Sequence, residues 1–281
     1  MTKMKDYEKS IADQYGQKDL GENIISAFKN AGKEINIHED TASFDEFHMR
    51  GRDATRELAE LAGLQKGMKV LDLGCGVGGP ARTLAAEFGC HVTGIDLVEE
   101  YCKAATMLTK RLNLDNMVSF RHGNMMELPF EEQSFDAAWT EHTLMNIENK
   151  DKLFHEVRRM LRPKGLFTIY EVCAGTSSPI YFPITWANSP EISFLVKPDE
   201  LRDMFLSSGF TELKWKDVTK EALKWLQDMT ALIKKHPGGG PPPLGVNLLI
   251  GKSAAEKSMN IGRNLAEGRI KFVQGVFRKE N

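Results

Sequence analysis

The chain has 281 residues and a formal net charge of −2, so it carries no basic field to draw it to nucleic acid or to an anionic membrane surface. A hydrophobic fraction of 41% with 27% charged residues is that of a globular protein, built as one large domain or one with an elaborated lid. No run of 18 apolar residues occurs and the first residues form no apolar signal segment, so a cytoplasmic protein is expected.

Residues 1–50 are too polar for a strand and too short for a core of their own, and they read as a helical, irregular cap. Residues 51–173 are expected to form the core, and between residues 68 and 172 apolar strands alternate with amphipathic helices, the pattern of a doubly wound, Rossmann-like α/β sheet. Strands are predicted at Met68–Leu73, His91–Asp96, Met117–Arg121, Phe135–Thr140 and Leu166–Val172. Helices are predicted at Pro80–Phe88, near Val98–Leu112, and over Lys150–Leu161 with a stop before Pro163. Residues 174–197, rich in Pro, Tyr, Phe and Trp, form a long connection of the kind that is usually functional. The remainder, 198–281, opens with a helix at Pro198 and supplies two alternating segments, Thr211–Val218 and Ile270–Phe277, expected to finish the sheet as an antiparallel pair. Between these lie a helix near 220–235, a stiff loop at Pro237–Pro243, and a helix from Ser253 whose Glu256 completes a capping box.

The stretch with most chemical content is Val70-Leu71-Asp72-Leu73-Gly74-Cys75-Gly76-Val77-Gly78-Gly79-Pro80. An apolar strand runs into a glycine turn, where backbone can approach a ligand closely, and then into a helix start whose free N–H groups face the crevice. Gly74, Gly76 and Gly79 also satisfy the dinucleotide fingerprint, which by itself is ambiguous. Asp72, however, would repel a pyrophosphate and can accept from a cationic amine, while Asp96 ends the second strand where a carboxylate suits a ribose diol. A ribose and an ammonium without phosphate describe S-adenosylmethionine. The four cysteines (Cys75, Cys90, Cys102, Cys173) show no paired spacing and read as reduced, buried thiols, and no metal site is expected.

Further motifs follow in order: Gly123-Asn124-Met125-Met126-Glu127-Leu128-Pro129-Phe130, then Ser134-Phe135-Asp136-Ala137-Ala138-Trp139, then Leu161-Arg162-Pro163-Lys164-Gly165-Leu166. With these the chain resembles the class I S-adenosylmethionine-dependent methyltransferases over roughly residues 45–173. The resemblance implies a seven-stranded, mostly parallel sheet. It implies a cofactor site of Asp72, Gly74, Cys75, Gly76, Gly78, Asp96, Leu97, Asn124, Met125 and Glu141. In it Asp72 holds the methionine amine, Asp96 the ribose hydroxyls, and Asn124 the adenine amine, with Leu97 and Met125 sandwiching the ring. Position 124 is more often Asp in that family, and Asn still offers an acceptor. Gln14-Tyr15-Gly16 and Asp45-Glu46-Phe47-His48-Met49-Arg50-Gly51 resemble the cap of small-molecule N-methyltransferases acting on glycine, sarcosine, dimethylglycine or phosphoethanolamine.

Methyl transfer from a sulfonium is an in-line displacement that needs positioning and a place for a proton. The candidate catalytic residues are His142, Tyr15 and His48. Glu141 and His142 end strand four, while Tyr170 and Glu171 lie at the end of strand five, where side chains face the crevice. Trp139, Tyr170, Tyr181, Phe182 and Trp186 are expected to form an aromatic acceptor pocket, joined by Phe194, with Arg50 and Arg52 available as a carboxylate clamp. A small-molecule amine leads as acceptor. Thiol or sulfide S-methylation follows, then carbon methylation, and a non-catalytic cofactor-binding protein stays open. Neither nucleic acid nor a membrane is expected as partner, and the chain is expected to act as a monomer or homodimer.

Overall fold

The computed structural model describes Ser10, residues 15–235 and residues 244–280. Its seven strands are β1 Lys69–Leu73, β2 His91–Asp96, β3 Val118–His122, β4 Phe135–Glu141, β5 Leu161–Ala174, β6 Phe210–Asp217 and β7 Ile270–Lys279. They form one sheet in the order β3-β2-β1-β4-β5-β7-β6. The first five pair in parallel, while β7 runs antiparallel to both β5 and β6. This is the seven-stranded, mostly parallel Rossmann-like sheet expected from the sequence. The chain order reverses between β1 and β4, and ligand crevices of such sheets open at that point.

Nine helices stand among the described residues: α1 Leu20–Asn30, α2 Arg52–Ala62, α3 Gly79–Phe88, α4 Glu99–Arg111, α5 Lys150–Met160, α6 Pro198–Ser207, α7 Thr219–Lys235, α8 Asn247–Ile250 and α9 Ala254–Ala266. One sheet face packs against α2 and α3 through Val70, Leu58, Leu84 and Phe272. The other packs against α5 and α6 around Phe154, Phe167, Phe205 and Phe277, where Phe205 stacks on Phe277 at 4.1 Å and 6°. A third cluster joins α1 to α4: Leu20, Ile24, Phe28 and Phe44 meet Tyr101, Leu108 and, from the C-terminal part, Leu249. That part of the first fifty residues therefore owes its order to the surface it covers.

Two expectations need correction. β5 starts at Leu161, five residues before the predicted start, because Leu161 pairs with Phe135 and the register then shifts so that Leu166 pairs with Ala137. The extra residues, including Lys164 at φ 65°, bulge out of the ladder, so Pro163 owes it no donor. Ser253 makes no side-chain cap for α9, since its hydroxyl donates to the Ile250 carbonyl in a preceding 3₁₀ turn. The loop Pro237–Pro243 lies outside the described residues.

The glycine turn is set by close packing. Gly74 has φ 73° and a Cβ there would lie 2.5 Å from Thr143 Oγ1, while a Cβ on Gly79 would run into the backbone of Asp45. Gly79→Ala is expected to lower stability by about 1–3 kcal/mol, the cost of overpacking a filled site, read as a fall in Tm with the sheet retained by circular dichroism. An unchanged Tm would mean that the Asp45 segment is free to move aside.

Candidate active site

A cavity lies at the carboxyl ends of β1, β2 and β4, under the N-terminal segment and the connection after β5. Gly74, Cys75 and Gly76 form its floor, with Gly76 at φ 52° and nothing within 4 Å of where a Cβ would project. A ligand can thus lie directly on that backbone. Asp96 binds the same turn: Oδ2 accepts from Gly76 N at 2.8 Å and Oδ1 from Val98 N at 2.9 Å. Burial lifts its pKa, and those backbone donors oppose the rise. Leu97, Asn124 and Met125 continue the wall, and Asn124 Oδ1 also accepts from Met126 N. These residues fit a nucleoside bearing a ribose diol.

Asp72 and Gly78 do not line the cavity. Asp72 is buried beneath the turn with Oδ2 unpartnered, and burial, then the Glu141 charge, push its pKa well up. Gly78 packs instead on Phe120 and Arg82. The acids expected at one site are therefore distributed, Asp96 at the surface of the cavity and Asp72 behind it.

His48, Glu141 and His142 come together on the lining, with His48 Nε2 3.5 Å from Glu141 Oε2 and the two imidazole rings 5.8 Å apart, whereas Tyr15 lines the cavity beside Tyr101 and Asn146. His142 is held at φ 51°, a left-handed conformation costly for a non-glycine residue. Its ring stacks on Phe272, its Nε2 has no partner, and burial followed by the nearby His48 charge keeps its pKa well below the ordinary value. Glu171, beneath, accepts from Thr143 N and Leu144 N and thereby pins the turn that follows. Tyr15 donates to Asn146 Oδ1 at 3.1 Å, and Asn146 Nδ2 donates to the carbonyls of Trp186 and Ile192. One side chain thus ties the N-terminal segment to the connection after β5.

A buried charge cluster backs this part of the lining. Glu46 accepts from Arg52 Nε at 3.0 Å, Thr83 Oγ1 at 2.7 Å and His48 Nε2 at 3.0 Å. Asp45 pairs with the fully buried Arg82 at 2.7 Å and with Arg52 at 3.5 Å. Thr55 of α2 bridges Glu46, Glu141 and His48. Burial alone would lower the His48 pKa, but the Glu141 and Glu46 carboxylates raise it to about 9. Burial alone would raise that of Glu46, yet His48 and Arg52 bring it to about 2. Glu46, His48 and Glu141 present ligand atoms within 4.8 Å of one another, a spacing compatible with a cation, but the Thr55 hydroxyl and Arg52 already bridge and neutralise the group.

Several expected pocket residues lie elsewhere. Trp139 is fully buried and spends its Nε1 donor on Glu141 Oε2, and Tyr170 sits behind His142 within the sheet packing. Tyr181 is sandwiched between Arg263 at 3.6 Å and Arg269 at 4.3 Å, away from the lining, and Phe182 packs on the core beside it. Of the five only Trp186 reaches the cavity. Arg50 pairs with Glu57 and Arg52 with Glu46, so neither forms the expected clamp. Lining residues that sequence reading did not single out include Met145, Asn146 and Ile147. The four cysteines are buried and free, and Cys75 alone of them lines the cavity.

Residues 71–169 match the family described as methyltransferase domain. A sterol 24-C-methyltransferase of Gibberella zeae is 39% identical over 114 residues, which are 41% of this chain and 30% of that enzyme. The matched stretch is under half the length of the curated relatives. A phosphoethanolamine N-methyltransferase from Haemonchus contortus superposes with TM-score 0.71 at 19% identity, covering 92% of this chain and 57% of that one. Geranyl diphosphate C-methyltransferase from Streptomyces coelicolor superposes with TM-score 0.66 at 17% identity, covering 97% of each. At those identities the likeness is one of fold, so the affinity to N-methyltransferases suggested by the cap is not a family assignment. Among the described residues no helix is long and apolar enough to cross a membrane.

Asp96→Ala is expected to weaken cofactor binding by about 1.5–3 kcal/mol, the value of hydrogen bonds to a charged group, read by calorimetry with S-adenosylhomocysteine. Unchanged affinity would remove Asp96 from the site. The His48 value is raised in the folded state, so its contribution is whole below its ordinary 6.5 and is lost as pH climbs through about 9. Tm should accordingly fall across that window and fall less in His48→Gln; parallel curves would mean that His48 is not protonated.

Proposed function

We propose that the chain transfers the methyl group of S-adenosylmethionine to an uncharged, largely apolar acceptor, at a carbon–carbon double bond of isoprenoid or sterol type. The observation that carries this reading is the described cavity wall. Phe47, Met145, Ile147, Trp186 and Leu249 supply its apolar area, and apart from His48 its charged groups are the carboxylates Asp45, Asp96 and Glu141. Such a wall disfavours the phosphate of phosphoethanolamine, the carboxylate of an amino acid and a diphosphate, each of which needs cationic partners. The sterol C-methyltransferase relatives point the same way for the core residues.

The cofactor supplies an electrophilic methyl group on a positively charged sulfur. The turn Gly74–Gly76 and Asp96 would hold its nucleoside part, and the apolar cover excludes water from the reacting end. When the π electrons of an alkene form the new C–C bond, the neighbouring carbon becomes cationic and must then lose a proton. Glu141 has the properties needed to take it: burial raises its pKa, and its Oε1 has no partner within the protein. His142 Nε2, neutral and unpartnered beside it, serves the same region as a second acceptor of hydrogen bonds. An uncharged amine is the second reading, favoured by the aromatic Trp186 facing carboxylates.

The test is a transfer assay that reads S-adenosylhomocysteine release and product mass, with sterol and isoprenoid alkenes set against glycine, sarcosine, phosphoethanolamine and uncharged alkylamines. Turnover confined to alkenes, with the added mass on carbon, is expected. Turnover on glycine or phosphoethanolamine would overturn the reading, and turnover on alkylamines alone would promote the second.

A further inference from the structure

Thr55 lies on α2, buried at 0% exposure, and was drawn to attention by no motif. Its hydroxyl stands 2.9 Å from Glu141 Oε2, 3.0 Å from Glu46 Oε2 and 3.2 Å from His48 Nε2. A hydroxyl has one proton to give. Glu46 does not need it, because Oε1 already accepts from Arg52 and Thr83 and Oε2 accepts from the protonated His48. Glu141 does need it: Trp139 Nε1 at 3.0 Å is the other strong donor to Oε2, and Oε1 is buried without a partner.

We propose that Thr55 is a positioning residue that, with Trp139, fastens Glu141 through Oε2 and so fixes its carboxylate at the wall of the cavity. This rests on the assignment of Glu141 as proton acceptor given above. The geometry gives one carboxylate two distinct ends, an anchored oxygen facing α2 and β4 and an unpartnered oxygen on a cavity-lining residue. Hydrogen bonds to the charged form hold a carboxylate pKa down against desolvation. Here the burial of Glu141 is opposed first by the His48 charge and then by the Trp139 and Thr55 donors. The other groups facing it are Glu46 before α2, Asp72 on β1 and Tyr170 on β5, and Arg52 acts through Glu46. None of these donates to Glu141, so loss of the Thr55 hydroxyl leaves Oε2 with Trp139 and a longer contact to His48 at 3.5 Å.

The experiment is the pH profile of kcat/KM for Thr55→Val, Thr55→Ser and Glu141→Gln beside the parent protein, with the acceptor found in the transfer assay. Thr55→Val keeps the shape and removes the donor. Its acidic limb should move up on the order of one pH unit, so that kcat/KM at a pH below both midpoints falls about tenfold, since there a unit of pKa is a tenfold change in ionised fraction. Acceptor KM and cofactor Kd should stay within about twofold, and Thr55→Ser should restore the profile. A folded Thr55→Val with parental profile and kcat, where Glu141→Gln is inactive, overturns the role of Thr55 alone. Parental turnover in Glu141→Gln overturns the assignment of Glu141 and this proposal with it. Should Thr55→Val not fold, the carboxylic-acid infrared band that Glu141→Gln abolishes is followed against pH in Thr55→Ala, without acceptor. A higher midpoint than in the parent protein supports the proposal, and an equal midpoint overturns it.

Discussion

Everything at this site depends on two adjacent acids, Asp45 and Glu46, being buried together. Two carboxylates withdrawn from water are tolerable only with compensating cations and donors at hydrogen-bond distance. Arg82 reaches out of the first helix of the sheet for Asp45, and Arg52, His48 and Thr83 converge on Glu46. The partners come from the segment before α2, from α2 itself and from α3, so satisfying the acids fixes all three against one another. The Asp45 backbone lies so close to Gly79 that a side chain there has no room. A covering segment that looks peripheral in the chain is thereby built into the floor of the cavity.

The cofactor half was legible because its constraints are local. A run of positive-φ glycines between an apolar strand and a helix start has few physical solutions, and Asp96 follows at the end of the next strand. The alternating pattern of residues 68–172 predicted the parallel strands closely, and it missed the start of β5 because a bulge at Lys164 accommodates Pro163 in a way no periodicity records. The acceptor half was far less legible. Tyr181 and Trp186 lie five residues apart in one aromatic loop, yet one is stacked between arginines of the C-terminal part and the other faces the cavity. Composition offered both equally. Arg50 and Arg52 could be read as a clamp for a substrate because nothing local announced Glu57 and Glu46 as their partners. A faint signal existed in Arg82, an arginine on the face of α3 that should be apolar, which demanded a buried acid somewhere.

The charge balance of the site also bears on its chemistry. The carboxylates keep the cavity receptive to positive charge such as that of a sulfonium, in surroundings where apolar walls make such interactions strong. The carboxylate of Glu141 and the neutral imidazole of His142, side by side at the end of β4, differ in what burial does to them. Burial makes the acid a stronger base and the imidazole a weaker one, so the two neighbours respond to it in opposite senses.

Asn146 has a mechanical consequence. Its oxygen receives Tyr15 from the N-terminal segment and its nitrogen holds the carbonyls of Trp186 and Ile192 in the connection after β5. Both covers therefore close on a single amide, which itself rides on the turn following Glu141 and His142. Opening one cover without disturbing the other would strand a buried polar group. The two covers are therefore coupled mechanically through the turn that follows Glu141 and His142.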